Sequence, residues 1–291
     1  MSDALAVDKR MVRRSFEQAA ATYDAAAVLQ NEVCRRMLAR LDYIKVEPAT
    51  ILDAGSGTGN AVAGLLARYP RARVIALDLA LAMARRVGAR RPWWRGLFDW
   101  SGPRLAAVCG DIEQLPLAPA CAGMVWSNLA IQWSNEPQRA FAEMHRVLAP
   151  GGLLLFSSFG PDTLKELRAA FQSVDRHTHV HRFTDMHDVG DMLVACGFAD
   201  PVMDMEVMTL TYADVRELMR DLKAIGAHNV THGRPSALAG KSLLAKVAQN
   251  YEPARREGRL PATFEVIYGH AWKPMPRVSS TGRPVIDIKP R

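Results

Sequence analysis

The sequence lacks the features that define several large classes of protein. Its 291 residues include only four cysteines, and no two of them form a CxxC pair, which argues against a disulfide framework and a cysteine-rich zinc site. No apolar run approaches the roughly 18 residues that a membrane-spanning helix requires. Residues 1–10 are not followed by the apolar segment of a secretory signal. We therefore expect a reduced, cytoplasmic setting.

Positive charge, by contrast, is in excess. The chain has a net charge of +7 and a pI near 9.4, which suggests an acidic partner such as a nucleic acid, an anionic membrane surface or an acidic protein. Five arginines and no acid lie between Arg85 and Arg95, together with Trp93 and Trp94. Aromatic side chains among arginines also suit single-stranded RNA, so the charge alone leaves the partner open.

From residue 50 onwards, strand patterns and helix patterns alternate. Short apolar runs predict buried strands, and segments 60–69 and 138–148 predict helices between them. The expected strands are 50–52, 73–77, 105–109, 123–127 and 153–157. Such alternation predicts an α/β fold with a doubly wound, mostly parallel sheet. The β-rich segments 202–212 and 263–272 predict an antiparallel pair that brings the sheet to seven strands.

Helical segments are predicted before these strands and between the last three of them. Residues 1–49 form an N-terminal segment that is helical in pattern over 8–41, and we expect it to cover the ligand site. Two insertions, 160–182 and 214–259, are expected to be a helical lid.

The C-terminal part, 160–273, is expected to hold the rest of the sheet together with these insertions. Residues 185–196 predict a helix with Thr184 as its N-cap. The tail 274–291 contains four prolines and little apolar periodicity, so we expect it to be disordered.

A glycine-rich turn follows the first strand, with the sequence Asp53-Ala54-Gly55-Ser56-Gly57-Thr58-Gly59. Such a turn lets the backbone and the start of the next helix approach a ligand closely. Its spacing differs from the GxGxxG pattern of nicotinamide dinucleotide sites. Asp53 can accept hydrogen bonds from an ammonium group, which those dinucleotides lack. The alternative is a tight turn that binds nothing.

Two further acids end the next two strands. Asp78 ends the second strand, and Asp111 follows the third in the run Gly110-Asp111-Ile112. Each acid alone is explained equally well as a loop cap. Acids at successive carboxyl ends of a parallel sheet, however, lie where α/β folds bind their ligands. We expect Asp78 to accept ribose hydroxyls, and Asp111 to accept an adenine amino group beside Ile112.

Together these motifs resemble those of the class I S-adenosylmethionine-dependent methyltransferases over residues 50–156. The resemblance implies a cofactor-binding α/β core over 50–159, with S-adenosylmethionine as cofactor, S-adenosylhomocysteine as product, and no metal. The implied cofactor-binding residues are Gln30, Asp53, Gly55, Ser56, Gly57, Gly59, Asp78, Leu79, Met83, Asp111, Ile112, Asn128 and Leu129.

The loop after the fourth strand bears on the methyl acceptor. Enzymes of this fold that methylate nucleic-acid amino groups carry an (Asp/Asn/Ser)-Pro-Pro-(Tyr/Phe) tetrad there, whereas Asn128 is followed by Leu-Ala-Ile. Methylation at cytosine C5 needs a nucleophilic cysteine in the site, and Cys121 precedes the fourth strand, at its opposite end. A nucleic-acid acceptor is therefore disfavoured.

Further segments outside the glycine motif are informative: 15–24 with 29–30, 110–117, 126–133, and 222–227 leading to Gly233-Arg234. These segments are similar to those of a narrower family, the malonyl-acyl-carrier-protein O-methyltransferases of biotin synthesis. Segment 85–104 looks longer than the corresponding part of that family. The C-terminal half also resembles an assembly factor of respiratory complex I that hydroxylates a protein arginine. A protein-modifying oxygenase or assembly factor is therefore the alternative, and a non-catalytic cofactor-binding protein is a third possibility.

The resemblance to the narrower family implies methyl transfer to the free carboxylate of malonyl-acyl-carrier protein. No general base is needed, because a carboxylic acid with a pKa of roughly 4 is ionised at neutral pH. Positioning and removal of water would carry the catalysis. We expect Tyr23 to cover the methyl donor near Gln30, and Arg182 or Arg234 to bind the malonyl carboxylate.

The expected partner is thus the acidic carrier, with neither a nucleic acid nor a membrane involved. It would dock on basic surface. The docking candidates are Arg85, Arg86, Arg90 and Arg91. Use of malonyl-coenzyme A and the oligomeric state are left open by the sequence.

Overall fold

A computed structural model describes residues 7–89, 104–172, 174, 177–227 and 241–276. Its centre is a seven-stranded sheet in the order β3-β2-β1-β4-β5-β7-β6. The strands are β1 (Thr50–Ala54), β2 (Arg73–Asp78), β3 (Leu105–Cys109), β4 (Ala122–Ser127), β5 (Leu148–Phe159), β6 (Ala199–Tyr212) and β7 (Leu260–Trp272).

The first five strands are parallel, and β7 is antiparallel to both β5 and β6. β1 and β4 lie in the middle and are almost entirely buried, which is why they consist of continuous apolar runs. One apolar core packs on each face of the sheet. The predicted mostly parallel, doubly wound seven-stranded fold is confirmed.

Ten helices surround the sheet within the described residues. Their bounds are α1 (Lys9–Ala19), α2 (Tyr23–Ala26), α3 (Val28–Arg40), α4 (Asn60–Arg68), α5 (Leu81–Ala89), α6 (Pro137–Val147), α7 (Lys165–Gln172), α8 (Met186–Ala195), α9 (Val215–Ala224) and α10 (Lys241–Tyr251). Short 3₁₀ turns span Leu41–Tyr43, Ile131–Trp133 and Glu252–Ala254. None of the helices in these ranges is both long and apolar enough to cross a membrane.

The fifth strand is longer than predicted. It begins at Leu148 and includes Pro150-Gly151-Gly152, which precede the strand predicted at 153–157. The Gly151 amide donates to the Lys273 carbonyl at 2.8 Å, and the Lys273 amide donates to the Gly152 carbonyl at 2.9 Å. The chain leaving β7 therefore holds this segment in the sheet. β6 likewise starts earlier than predicted, at Ala199.

The N-terminal segment is helical as predicted, but it is divided into α1, α2 and α3. Thr22 lies at the first break, where its amide donates to the Ala19 carbonyl and its hydroxyl donates to the Ala224 carbonyl at 3.1 Å. Ala27, with ψ of 43°, makes the second break. The interruption is thus fixed by a contact with α9, 202 residues away in sequence.

The N-cap predicted for α8 was wrong by one residue. Asp185, not Thr184, precedes the helix, and its carboxylate accepts from the His187 amide at 2.8 Å. A carboxylate in the first turn also suits the positive end of the helix dipole.

The two insertions pack together beside the antiparallel strands. Asn250 of α10 donates to the Ala170 carbonyl of α7 at 3.0 Å, and the Tyr251 hydroxyl donates to the Pro261 carbonyl at 2.7 Å. Residues 228–240 of the second insertion lie outside the described residues, as do residues 277–291 of the C-terminal tail. The lid and the disordered tail stay predictions.

Close packing at Gly269 of β7 gives a test of the sheet. A Cβ at this position would lie 2.5 Å from Cε1 of Phe156 and 2.9 Å from the sulfur of Met203. We expect Gly269→Ala to lower the free energy of unfolding by about 1–3 kcal/mol, because the overlap forces the side chains of Phe156 and Met203 out of their packed positions. Denaturant titration measures this change.

Gly190 in α8 is the matched control. The nearest atom to an added Cβ there is Cγ of Met203, at 3.8 Å, so Gly190→Ala should raise the free energy of unfolding by about 0.5–1 kcal/mol through helix propensity. Equal stability of the two variants would contradict the packing described for β5, β6 and β7.

Candidate active site

A cleft opens where β1, β2, β3 and β4 end at the carboxyl edge of the sheet. It holds about 790 Å³, counted to its open mouth, within the range of small-molecule sites. α1 and the start of α2 lie along one side. Predicted residues that line it are Tyr23, Gln30, Gly55, Gly57, Asp78, Leu79, Asp111, Ile112, Asn128 and Leu129.

The glycine turn is held against the second strand by its backbone. The amides of Gly55 and Ser56 donate to the Leu77 carbonyl at 2.8 and 2.9 Å, and the Gly57 amide donates to the Asp78 carboxylate at 2.8 Å. Gly55 has φ of +82° and lies against Ala130, where an added Cβ would overlap the alanine methyl group. Only glycine readily adopts this positive φ and also leaves room for the Ala130 methyl group.

Asp53 is buried beneath this turn. Its side chain is 1 % exposed, and its Oδ2 has no hydrogen-bond partner among the described residues. Oε1 of Gln30 is also buried and without such a partner. Both side chains line a small recess that also contacts Tyr23 and Ser56. Burial, together with the charge of Asp78, raises the pKa of Asp53 to about 8. Two buried acceptors of this kind suit a cationic group with several donors.

Asp78 connects the turn to the helix that follows β2. One carboxylate oxygen accepts from the Gly57 amide and the other from the Ala80 amide, both at 2.8 Å. Burial raises the pKa of Asp78 to about 6, and these two hydrogen bonds oppose the rise. The carboxylate keeps free lone pairs, and Asp78 lines the cleft beside Leu79.

Asp111 is paired with a lysine that the sequence did not single out. The ammonium of Lys9 lies 2.7 and 2.6 Å from the two oxygens of Asp111, and 2.6 Å from Oε2 of Glu113. Val7, two residues before Lys9, makes two hydrogen bonds with the side-chain amide of Asn135, at 2.7 and 2.9 Å. The start of α1 is therefore fastened across this end of the cleft.

Tyr23 covers the other end. Its ring lies beside the glycine turn, with Cε1 3.6 Å from the position of a Cβ on Gly57. Burial raises the pKa of this phenol, and the charges of Asp78 and Asp24 raise it further. The side chain is therefore neutral at physiological pH, which suits a cover or a hydrogen-bond donor and not a base.

A second chamber of about 1190 Å³ adjoins the cleft. Both cavities are lined by Gln30, Trp133, Phe159, Ile225 and Ala227, so these residues mark where the two meet. Its remaining walls are largely apolar and come from α3, α7, α9, β6, β7 and the segment 179–183. This chamber was not predicted, because its walls come from separate parts of the chain.

Histidines in this chamber are stacked on aromatic rings. His179 stacks on Phe171 with ring centres 3.8 Å apart, and His181 stacks on Trp133 at 6.3 Å. Burial lowers the pKa of His181, so its ring is neutral near pH 7. Among the described residues, no three His, Cys, Asp or Glu side chains are grouped as metal ligands.

Several predicted residues lie elsewhere. Met83 is fully buried against Ala20 and Ala80 and does not line the cleft. Gly59 packs against Val87, although it is the N-cap residue of α4, directly after the turn. Their predicted contacts with the cofactor stay predictions.

The predicted carboxylate-binding arginines are not part of the described cavity walls. Arg182 is exposed, whereas its neighbours His181 and Phe183 line the second chamber. Burial lowers the pKa of the Arg168 guanidinium, and the charge of Arg182 lowers it further. Arg234 lies outside the described residues. Of the described residues lining the two cavities, Lys9 is the only lysine or arginine. The roles of both arginines stay predictions.

Comparisons with known proteins relate this chain to methyltransferases. A family model described as "Methyltransferase domain" matches residues 52–156. A solved structure, a putative methyltransferase from Bacillus halodurans, is similar with a TM-score of 0.56 at 19% identity, covering 82% of this chain and 99% of that one. That similarity concerns the fold.

The sequence relatives are more specific. The malonyl-[acyl-carrier protein] O-methyltransferase of Gallionella capsiferriformans is 58% identical over 96% of this chain and 96% of its own length. The enzyme of the same name from Nitrosospira multiformis is also 58% identical, over 94% of this chain and 92% of its own. The chain belongs to the family of malonyl-[acyl-carrier protein] O-methyltransferases.

Proposed function

We propose that this protein transfers the methyl group of S-adenosylmethionine to the free carboxylate of malonyl-acyl-carrier protein. The observation that carries the proposal is 58% identity, over 96% of the chain, to an enzyme with that name. The cleft and the second chamber support it, because they offer one site for a polar cofactor and an adjoining apolar space for an acyl thioester. Nothing in these relatives supports the oxygenase alternative.

The cofactor fits the polar groups of the cleft. The unpartnered acceptors of Asp53 and Gln30 would hold its ammonium group, and Asp78 would accept the ribose hydroxyls. At the far end, Asp111 would accept from the adenine amino group beside Ile112 and Leu79. When bound, the cofactor supplies an electrophilic methyl group on a sulfonium.

The acceptor requires no base from the protein. A malonyl carboxyl group has a pKa of roughly 4 and is already ionised at neutral pH, and Tyr23 has a raised pKa that keeps it protonated. The chain would instead act by orienting the carboxylate and excluding water. Aromatic residues at the junction of the cavities, Trp133 and Phe159, would surround the reacting groups, and we keep Arg182 and Arg234 as candidates for binding the carboxylate.

The apolar chamber fits the rest of such a substrate. A malonyl thioester has one charged end and a long uncharged arm, and the chamber is lined by side chains such as Phe159, Phe183, Leu222 and Phe264. Esterification removes the charge, so the product resembles a plain acyl chain. This suits the role in starting pimeloyl synthesis for biotin that the family resemblance implies.

An assay with purified components tests the proposed function. The protein is incubated with isotopically labelled S-adenosylmethionine and malonyl-acyl-carrier protein, and the intact mass of the carrier is measured. We expect one methyl group per malonyl group, and none on acetyl-acyl-carrier protein, which lacks the free carboxylate. A folded, cofactor-bound protein that leaves malonyl carrier unmodified would refute the proposal. The same assay with malonyl-coenzyme A in place of the carrier measures whether malonyl-coenzyme A is also an acceptor.

Asp53 is expected to destabilise the ligand-free protein while it serves the cofactor. The pKa of Asp53 is about 8 when folded, against 3.8 for a free carboxyl, so the folded state keeps a proton that the unfolded state loses. Stability therefore falls as pH rises between these values. Asp53→Asn should raise the unfolding temperature of the ligand-free protein, by more at higher pH, and weaken S-adenosylmethionine binding by at least roughly tenfold.

Thermal unfolding across this pH range, with calorimetric binding, measures both effects. Asp191→Asn, on the exposed side of α8, is the control and should change neither. A stability difference that does not vary with pH, or unchanged cofactor affinity, would contradict the assignment of Asp53.

Lys9 is expected to matter for the cofactor, although it lies outside the methyltransferase motifs. Lys9→Met removes the bridge to Asp111 and Glu113 and leaves two carboxylates side by side, so α1 should be held less firmly over the cleft. We expect the dissociation constant for S-adenosylmethionine to rise about three- to tenfold. Arg10→Met, at the exposed neighbouring position, should leave the constant unchanged; equal values for both variants would exclude this role of Lys9.

A further inference from the structure

Helix α1 has two faces with different surroundings. Lys9, Val12 and Phe16 line the cofactor cleft, while Arg10, Arg13 and Arg14 on the other side are exposed. Arg13 and Arg14 lie three and four residues after Arg10, so all three arginines share one face of the helix. α1 is therefore a wall between the cleft and solvent, with its outer side positively charged.

This charge is poorly compensated within the described part of the chain. The guanidinium groups of Arg10 and Arg14 have no hydrogen bond or ion pair with any described residue. Arg13 is 3.7 Å from Glu17, and its side chain remains 56% exposed. Such groups do not stabilise the helix by pairing, so they are available to an external anion.

Glu17 connects this face to a second helix. Its carboxylate accepts from the backbone amides of Leu81 and Ala82 at 2.8 and 3.2 Å, and thereby caps the start of α5. Arg85 is exposed and lies one turn after Leu81, which is itself 36% exposed. The outer faces of α1 and α5 thus adjoin, and we define the basic stripe as Arg10, Arg13, Arg14 and Arg85.

We infer that the basic stripe is the docking surface for the acidic acyl-carrier protein, an inference that rests on the proposed function. An α-helix with its side chains is about 10–12 Å across, so a carrier on the outer side of α1 is one helix diameter from the cofactor cleft. Its flexible prosthetic arm can then carry the malonyl group into the cavities. Opposite charges at such a surface steer encounter and favour the correct partner.

The basic stripe differs from the set of four docking arginines predicted from the sequence. Of the four predicted from sequence, Arg85 belongs to the stripe, Arg86 is half-buried, and Arg90 and Arg91 lie outside the described residues. A protein fits the stripe better than RNA does, because RNA-binding surfaces combine cations with exposed aromatic rings. The aromatic residue of α1, Phe16, instead packs edge-on against Trp133, with ring centres 5.4 Å apart.

Charge reversal at the unpaired positions tests the stripe. In Arg10→Glu/Arg14→Glu, we expect the dissociation constant for an acyl-carrier protein without its malonyl group to rise roughly tenfold at low salt, with the difference shrinking as salt is added. Fluorescence anisotropy measures this binding. The control is Lys45→Glu/Arg71→Glu, which reverses two exposed charges at the opposite edge of the sheet and should bind the carrier like the parent protein.

Kinetics with two acceptors separate docking from catalysis. The stripe variant should show a raised KM for malonyl carrier, and unchanged turnover of malonyl-pantetheine, which has the thioester but no carrier. Four results would each overturn the inference. The first two are carrier binding that is unchanged in the stripe variant, and an equal loss of carrier binding in the control variant. The others are an equal loss of activity with malonyl-pantetheine, and parent protein that binds single-stranded RNA more tightly than the carrier. Carrier binding that depends on the stripe, without any methyl transfer by the parent, would support docking and refute the proposed function.

Discussion

The attachment of the glycine turn to β2 is the constraint on which the rest of the site depends. Backbone donors of the turn bond to the Leu77 carbonyl and the Asp78 carboxylate, which fixes the position of the turn at the edge of the cleft. Asp53 and Asp78 are both buried at this turn, and burial raises the pKa of each, although the hydrogen bond from Gly57 opposes the rise at Asp78. In the proposed function, binding of the cationic cofactor would offset part of the cost of burying these carboxyl groups.

The N-terminal helices complete the cleft that the sheet begins. α1 is fastened by Lys9 to two carboxylates of the loop after β3, and α2 brings Tyr23 over the glycine turn. α1 can therefore contribute both to the cleft and to the outer surface, because one of its faces lines the cleft and the other is exposed to solvent. In our proposals the inner face retains the methyl donor and the outer face receives the carrier of the acceptor.

In the proposed function, cofactor and acceptor are recognised by different kinds of surface. The cleft carries carboxylates and backbone donors, whereas the second chamber is walled by aliphatic side chains and stacked rings such as Phe171 with His179. Specificity for the cofactor would then rest on a few hydrogen bonds with fixed geometry. Exclusion of water from the reacting carboxylate would rest on the shape of the apolar space.

The sequence by itself determined the parallel sheet, the glycine turn and the acids at the strand ends, because each depends on a strand, the turn after it and the next few residues. The tertiary structure decided which distant segments come together. It pairs Lys9 with Asp111, 102 residues away in sequence, and it places the break at Thr22 against α9. It also brings Trp133 and Ile225 together where the cleft meets the second chamber. It also set Arg182 outside the described cavity walls. Local patterns specify strands, turns and capping groups, whereas long-range contacts depend on how the elements pack, which periodicity does not encode.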